Sequence, residues 1–210
     1  MDILEKLFGS SAKVRIMRLF LFNPATPYSM SDISKRTQVS GAKVRRYLSL
    51  LAKTGMIHPK SFLKEKILKG KKRKTKKVWT RGWVLDTKFP YLAPLQSFLI
   101  DIAPLTRDDI LKKFQRVGRL KLVILSGVFI HDLESRVDVL VVGDHIKKGV
   151  LENIIKSFEA EIGRELKYAA FETSDFKYRL GVYDKLLRDI LDYKHNTILD
   201  RLGMEQEKHF

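Results

Sequence analysis

The sequence predicts a chain of two domains, helices plus a β-hairpin first and a small mixed α/β sheet second, in the α+β to α/β range. Three observations lead there. The net charge of +17 is unevenly distributed: residues 1–87 hold 21 Lys and Arg against 5 Asp and Glu, whereas residues 88–210 hold 20 against 19. Apolar residues recur at helical spacing up to Leu51 and then alternate at a period of two around Trp79–Leu85, the switch from helix to strand. Beyond Pro90 and Pro94, apolar strand-like runs alternate with helical ones, the order of a small α/β domain. The boundaries expected are 1–87 for the basic domain, 88–104 for a linker and connecting helix, and 105–210 for the α/β domain.

In chain order, Ser10 or Ser11 caps a helix through AKVRIMRLFLFN, which stops before Pro24 and Pro27. Ser29-Met-Ser-Asp32 has capping-box spacing and starts a short helix through Ile33 and Lys35. TQVS reads as a turn, with Ser40 as the next N-cap. The helix GAKVRRYLSLLAKTG follows, with Val44, Tyr47, Leu48 and Leu51 on its apolar side and Gly55 as its stop. Its other side carries Lys43, Arg45, Arg46, Ser49 and Lys53. Trp79, Arg81, Trp83 and Leu85 alternate with Val78, Thr80, Gly82 and Val84 as a strand, and Ile57–Leu68 supplies an antiparallel partner. The run Lys69–Lys77, seven of whose nine residues are Lys or Arg, therefore falls at a hairpin tip. Trp79 and Trp83 share one side of the hairpin and are expected to pack it onto the helices, with base stacking as the alternative.

The second half begins with helices through Tyr91–Ile102 and Arg107–Val117. Strands Leu120–Leu125 and Val137–Val142, the amphipathic helix Val150–Ile162, and the strand Leu166–Phe171 come next. Ser174–Leu202 reads as mostly helical, with Phe176, Leu180, Tyr183, Leu187, Ile190 and Leu191 on one face.

The capped helix from Ser29, the pattern QVSGAKVRRYLSLLAKTGMI and a hairpin ending in TRGWVL resemble the winged helix-turn-helix regulators of prokaryotes, of the arsenic-repressor-like kind. The resemblance covers residues 1–87. It implies that the helix from Gly41 enters the major groove of double-stranded DNA while the wing lies along the backbone or minor groove, and that the protein acts as a homodimer. Carried over, Ser40, Lys43, Arg45, Arg46 and Tyr47 lie on or near the recognition helix. Val44 and Tyr47 also fit the apolar stripe. Arg45 and Arg46 suit either guanine edges or phosphates. Lys71, Lys72, Arg73, Lys74, Lys76 and Lys77, with Arg81 behind them, suit phosphates, which give affinity and salt dependence but little sequence information.

The segment LKLVILSGVFIHDLESRVDVLVVGD resembles the core of the nucleotidyltransferase superfamily, the polymerase-beta-like and minimal nucleotidyltransferases. The family pattern is a Gly-Ser pair after one strand and Asp-x-Asp on the next, where two carboxylates on one strand face hold Mg²⁺ at nucleotide phosphates. Here the pair is Ser126-Gly127, and the carboxylate positions read Arg136-Val137-Asp138. The first metal ligand is thus a cation, expected to pair with Asp138. The strand before Glu172 lacks a third carboxylate. Asp132 or Glu134 remain as loop substitutes. The resemblance implies a fold kept without catalysis, used for dimerisation, sensing or partner docking. No catalytic residue, metal or cofactor is expected.

The absence of cysteine excludes disulfides and thiolate zinc sites and suits a reducing cytoplasm, the compartment expected. His58, His131, His145, His195 and His209 show no metal-ligand spacing. The longest apolar stretch, Leu120–Ile130, is too short to span a bilayer and MDILEKLFGS has no signal-peptide pattern, so no membrane association is expected. The function expected is a DNA-binding protein, a transcriptional regulator. The alternatives are an active Mg-dependent nucleotidyltransferase targeted by its basic domain, or a non-specific nucleic-acid-binding architectural protein.

Overall fold

A computed structural model describes residues 3–68, 74–100, 105–132 and 134–204 of the chain. The protein belongs to the α+β class with two small sheets, one a hairpin and one of mixed strands. It divides into two compact units: residues 1–102 with 159–164, and residues 103–158 with 165–210.

The first unit is built on α2 (Ser11–Phe22), preceded by a short α1 (Ile3–Leu7) that the sequence pattern did not reveal. Ser10 caps α2 by accepting from the Lys13 amide at 3.4 Å. Val14, Ile16, Met17, Leu19, Phe20 and Leu21 are all buried, so α2 is apolar around most of its circumference, which marks a central helix rather than a surface one. Each fully buried aliphatic or aromatic side chain is worth about 1.5–3 kcal/mol of transfer free energy, and these set the core. Onto it pack Ile33 of α3 (Met30–Thr37), Val44, Leu48 and Leu51 of α4 (Gly41–Lys53), and Leu99 of α5 (Leu92–Ile100). Arg18 is the exception within α2. It is buried, and its guanidinium donates to the carbonyls of Leu99 at 2.9 Å and Glu161 at 3.2 Å. A buried charge survives only when such acceptors meet it.

The hairpin pairs β1 (Ile57–Leu68) with β2 (Lys74–Leu85) in unbroken antiparallel register, from Ile57 opposite Leu85 to Leu68 opposite Lys74. Its root is tied down twice. Ile57, Val84 and Leu85 are buried. Tyr28 and Trp83 also exchange both main-chain hydrogen bonds at 2.9 Å, which adds a single-residue third strand to β2. Gly82 permits that approach: a Cβ there would collide with the Tyr28 carbonyl and lie 2.7 Å from Phe62 Cε1.

The second unit centres on a sheet of order β5-β4-β3-β6, formed by β3 (Arg119–Leu125), β4 (Val139–Asp144), β5 (Tyr168–Glu172) and β6 (Asn196–Asp200). β3 pairs antiparallel with β4 and β6, and β4 runs parallel to β5. Leu122, Ile124, Leu140 and Val142 share one face and pack with Phe176 of α8 (Thr173–Gly181) and with Leu187 and Ile190 of α9 (Lys185–Leu191). Val123, Val139 and Val141 are buried on the opposite face, which explains why both inner strands read as continuous apolar runs. The crossover from β4 to β5 is α7 (Lys148–Ile162), and α6 (Arg107–Phe114) precedes β3. One expectation fails here. The segment from Ser174 is not helical to Leu202, because Asn196–Asp200 forms β6 at the sheet edge beside β3. Its short Ile-Leu content has no helical spacing, and pairing with β3 decides its form.

Candidate nucleic-acid interface

The positions of the basic side chains follow from how α3 and α4 are capped and joined. The Ser29 side chain accepts from the Asp32 amide, and the Asp32 carboxylate accepts from the Ser29 amide, a complete capping box at α3. The turn after α3 puts Gln38 in the left-handed region at φ 54°, and buried Val39 anchors it while its carbonyl accepts from Ser34 Oγ at 2.6 Å. Ser40 occupies the N-cap position of α4, but its side chain makes no capping hydrogen bond and stays exposed.

On α4, Val44, Leu48 and Leu51 are buried while Lys43, Arg45, Arg46, Ser49 and Lys53 are exposed. Consecutive helical residues point about 100° apart, so Arg45 and Arg46 leave the helix in different directions. Arg46 lies 6.0 Å over the ring of Tyr47 and, with Lys13 and Lys53, borders a cleft of about 410 Å³ against Phe8 and Ser10. Tyr47 is half-buried, and its hydroxyl donates to Ser10 Oγ at 2.8 Å. It thus braces α4 against the start of α2, in keeping with its place in the apolar stripe.

On the hairpin, Lys76, Lys77 and Arg81 are exposed. Lys74 opens β2 opposite Leu68, and Lys71, Lys72 and Arg73 lie outside the described residues. One hairpin cation is already used, because Lys64 of β1 ion-pairs with Asp32 of α3. Burial pushes the Asp32 carboxyl up, but the Lys64 ammonium and the Ser29 hydroxyl and amide outweigh it and hold the group below its ordinary value. The shared packing expected of the tryptophans holds for Trp83, which packs against the core. It fails for Trp79, which is 70% exposed. The two lie on the same side of the strand, but on that side only Trp83, close to the hairpin root, reaches the helical core.

In the second unit, the Ser126-Gly127 and Arg136–Asp138 segments do come together. β3 ends at Leu125; the amide of the next residue, Ser126, donates to the Asp138 carbonyl at 2.9 Å, and Gly127 begins a 3₁₀ turn, Gly127–Ile130. Gly127 takes φ 56° and lies so close over the Asp138 carboxylate that a Cβ would collide with it. The Asp138 side chain is buried, with Oδ1 accepting from the Val128 amide at 2.9 Å and Oδ2 from the Lys167 amide at 2.7 Å. Both oxygens thus fasten the backbone of two segments. The expected Arg136–Asp138 pair does not form. Asp138 turns inward to those amides, and Arg136 instead places Nη1 2.9 Å from Asp189 Oδ2 on α9. Glu172 accepts from the amides of His145 and Ile146, both at 3.0 Å, and Asp132 accepts from Glu134 at 3.1 Å within its own turn.

Among the described residues no group of three or more His, Cys, Asp or Glu side chains could hold a metal ion. Among them, too, no helix is long and apolar enough to cross a membrane. No family model, curated protein or solved structure matches the chain. The long-range ties found here, Lys64 to Asp32, Tyr28 to Trp83 and Arg18 to Glu161, have no sequence signal beyond the residues themselves.

Proposed function

We propose that this protein binds double-stranded DNA as a regulator of the winged helix type, with α4 as the recognition helix and the β1–β2 hairpin as the wing. The observation that supports it best is the division of α4: Val44, Leu48 and Leu51 are buried, and Lys43, Arg45, Arg46 and Lys53 are exposed with no acid among its thirteen residues. A helix whose exposed charges are all cations suits a polyanion groove. The hairpin adds Lys76, Lys77 and Arg81 to the same charge field. In this reading the protein binds as a homodimer, and the C-terminal unit serves assembly, sensing or docking without catalysis, because the Asp138 carboxylate is committed to two backbone amides.

The test is duplex binding across a range of salt, with selection of bound duplexes from a random pool. Affinity should fall steeply with salt. The selected duplexes should share a motif, and a palindromic motif would match a dimer. Absence of duplex binding at low salt would remove the proposal.

A further inference from the structure

The hairpin, away from its root, carries an apolar feature that phosphate contacts leave unused. Trp79 is 70% exposed and sits directly across from Leu63, itself 52% exposed. On the same side, two residues away in each direction, stand Lys77 and Arg81, both exposed. Their cross-strand partners are Glu65 and Ser61, so Glu65 is the single acid in this patch of six. Cross-strand pairing of Trp79 with Leu63 accounts for part of the choice of residue, since aromatic–aliphatic pairs support a hairpin. It does not account for leaving most of an indole in water between two exposed cations.

We infer that Trp79, backed by Leu63 and flanked by Lys77 and Arg81, is a stacking platform for an unpaired nucleobase. This inference rests on the proposed nucleic-acid-binding role and specifies which form of nucleic acid the hairpin prefers. An indole face offers sequence-tolerant stacking to any base, and the adjacent cations suit the phosphates on either side. A base inside a regular duplex has both faces covered by its neighbours. Only a base freed from the stack, in a single strand, a bulge or an opened step, can use Trp79. The platform has a firm foundation, because four residues further along the same strand Trp83 is packed and held by its paired bonds to Tyr28.

The experiment compares the full-length wild type with Trp79→Thr and Trp79→Phe on three probes: a perfect duplex, the same duplex with one unpaired nucleotide, and the single strand. Trp79→Thr keeps a β-branched residue on the strand, and Trp79→Phe keeps a ring. Wild type should bind the probe with the unpaired nucleotide about tenfold more tightly than the perfect duplex. Trp79→Thr should lose that advantage while binding the perfect duplex within about twofold of wild type, and Trp79→Phe should keep most of it. Indole fluorescence should be quenched by the unpaired probe in wild type and not in Trp79→Thr, whose remaining Trp83 serves as the internal control. The inference is overturned if wild type shows no preference for the unpaired nucleotide, or if Trp79→Thr retains the preference. In both cases normal duplex binding would leave the DNA-binding proposal intact. Failure to bind all three probes overturns both.

Discussion

Lys64 of β1 is ion-paired with Asp32, the same residue that closes the capping box of α3. One carboxylate therefore satisfies the start of a helix and anchors the hairpin to it. Its folded-state pKa is depressed below the ordinary 3.8, against burial, chiefly by the Lys64 ammonium and Ser29. A lowered carboxyl pKa gives stability that is complete above 3.8 and is lost as the pH falls through the lower folded value. Asp32→Asn should accordingly cost up to about 1 kcal/mol at neutral pH, the range for a partly exposed pair. Urea melts of wild type and variant from pH 7 downward should approach each other below 3.8 and converge below the lower folded-state value.

Gly82 gives a second, steric prediction. A side chain there meets the Tyr28 carbonyl and the Phe62 ring, and the carbonyl belongs to a backbone bonded to Trp83 on both sides. Gly82→Val should destabilise the chain by about 1–3 kcal/mol, the usual range for overpacking, as a lowered midpoint in thermal or urea unfolding.

Asp138 should behave as a fastener rather than as a metal ligand. Asp138→Ala leaves the amides of Val128 and Lys167 without this acceptor, at about 0.5–1.5 kcal/mol each. Asp138→Asn keeps one acceptor oxygen, so its unfolding midpoint should lie between those of Ala and wild type. Labelled nucleotide triphosphates with Mg²⁺ should give no transfer in the wild type. Transfer abolished by Asp138→Ala would show that the carboxylate does chemistry.

Charge removal separates grip from reading. Replacing Lys71, Lys72, Arg73 and Lys74 with Gln should weaken duplex binding and flatten the slope of log affinity against log salt by roughly 2–4 units. Arg45→Ala and Arg46→Ala should differ from each other, because the two side chains leave α4 about 100° apart. The one that reads a base should relax preference at one position by about 1–3 kcal/mol in competition assays.

Local signals were legible in the sequence. The Ser29–Asp32 capping box, the apolar stripe Val44–Leu48–Leu51, the strand alternation around Trp83 and the buried runs of β3 and β4 all depend on spacing within one element. What spacing could not give were relations across elements. Trp79 and Trp83 look equivalent by period, and only the distance of each from the hairpin root separates the exposed ring from the packed one. β6 was hidden because its partner β3 lies more than seventy residues away in the chain, and edge pairing leaves little mark on a short segment. Arg136 and Asp138 are neighbours but one, which suggested an ion pair. The fold turned one inward to amides and the other outward to α9.

Arg18 carries a consequence for how the protein can be divided. The unit it stabilises is assembled from two separate stretches of chain, because residues 159–164 belong to it along with 1–102. Glu161 gives a carbonyl to Arg18 and Gly163 one to Asn23, at 3.2 and 2.9 Å. A fragment ending at residue 102 would keep all the DNA-facing cations of the proposal yet strip a buried guanidinium of one acceptor. The N-terminal unit therefore draws two of its side-chain hydrogen bonds from chain made long after it. During synthesis those two bonds can close only after residue 163 has left the ribosome.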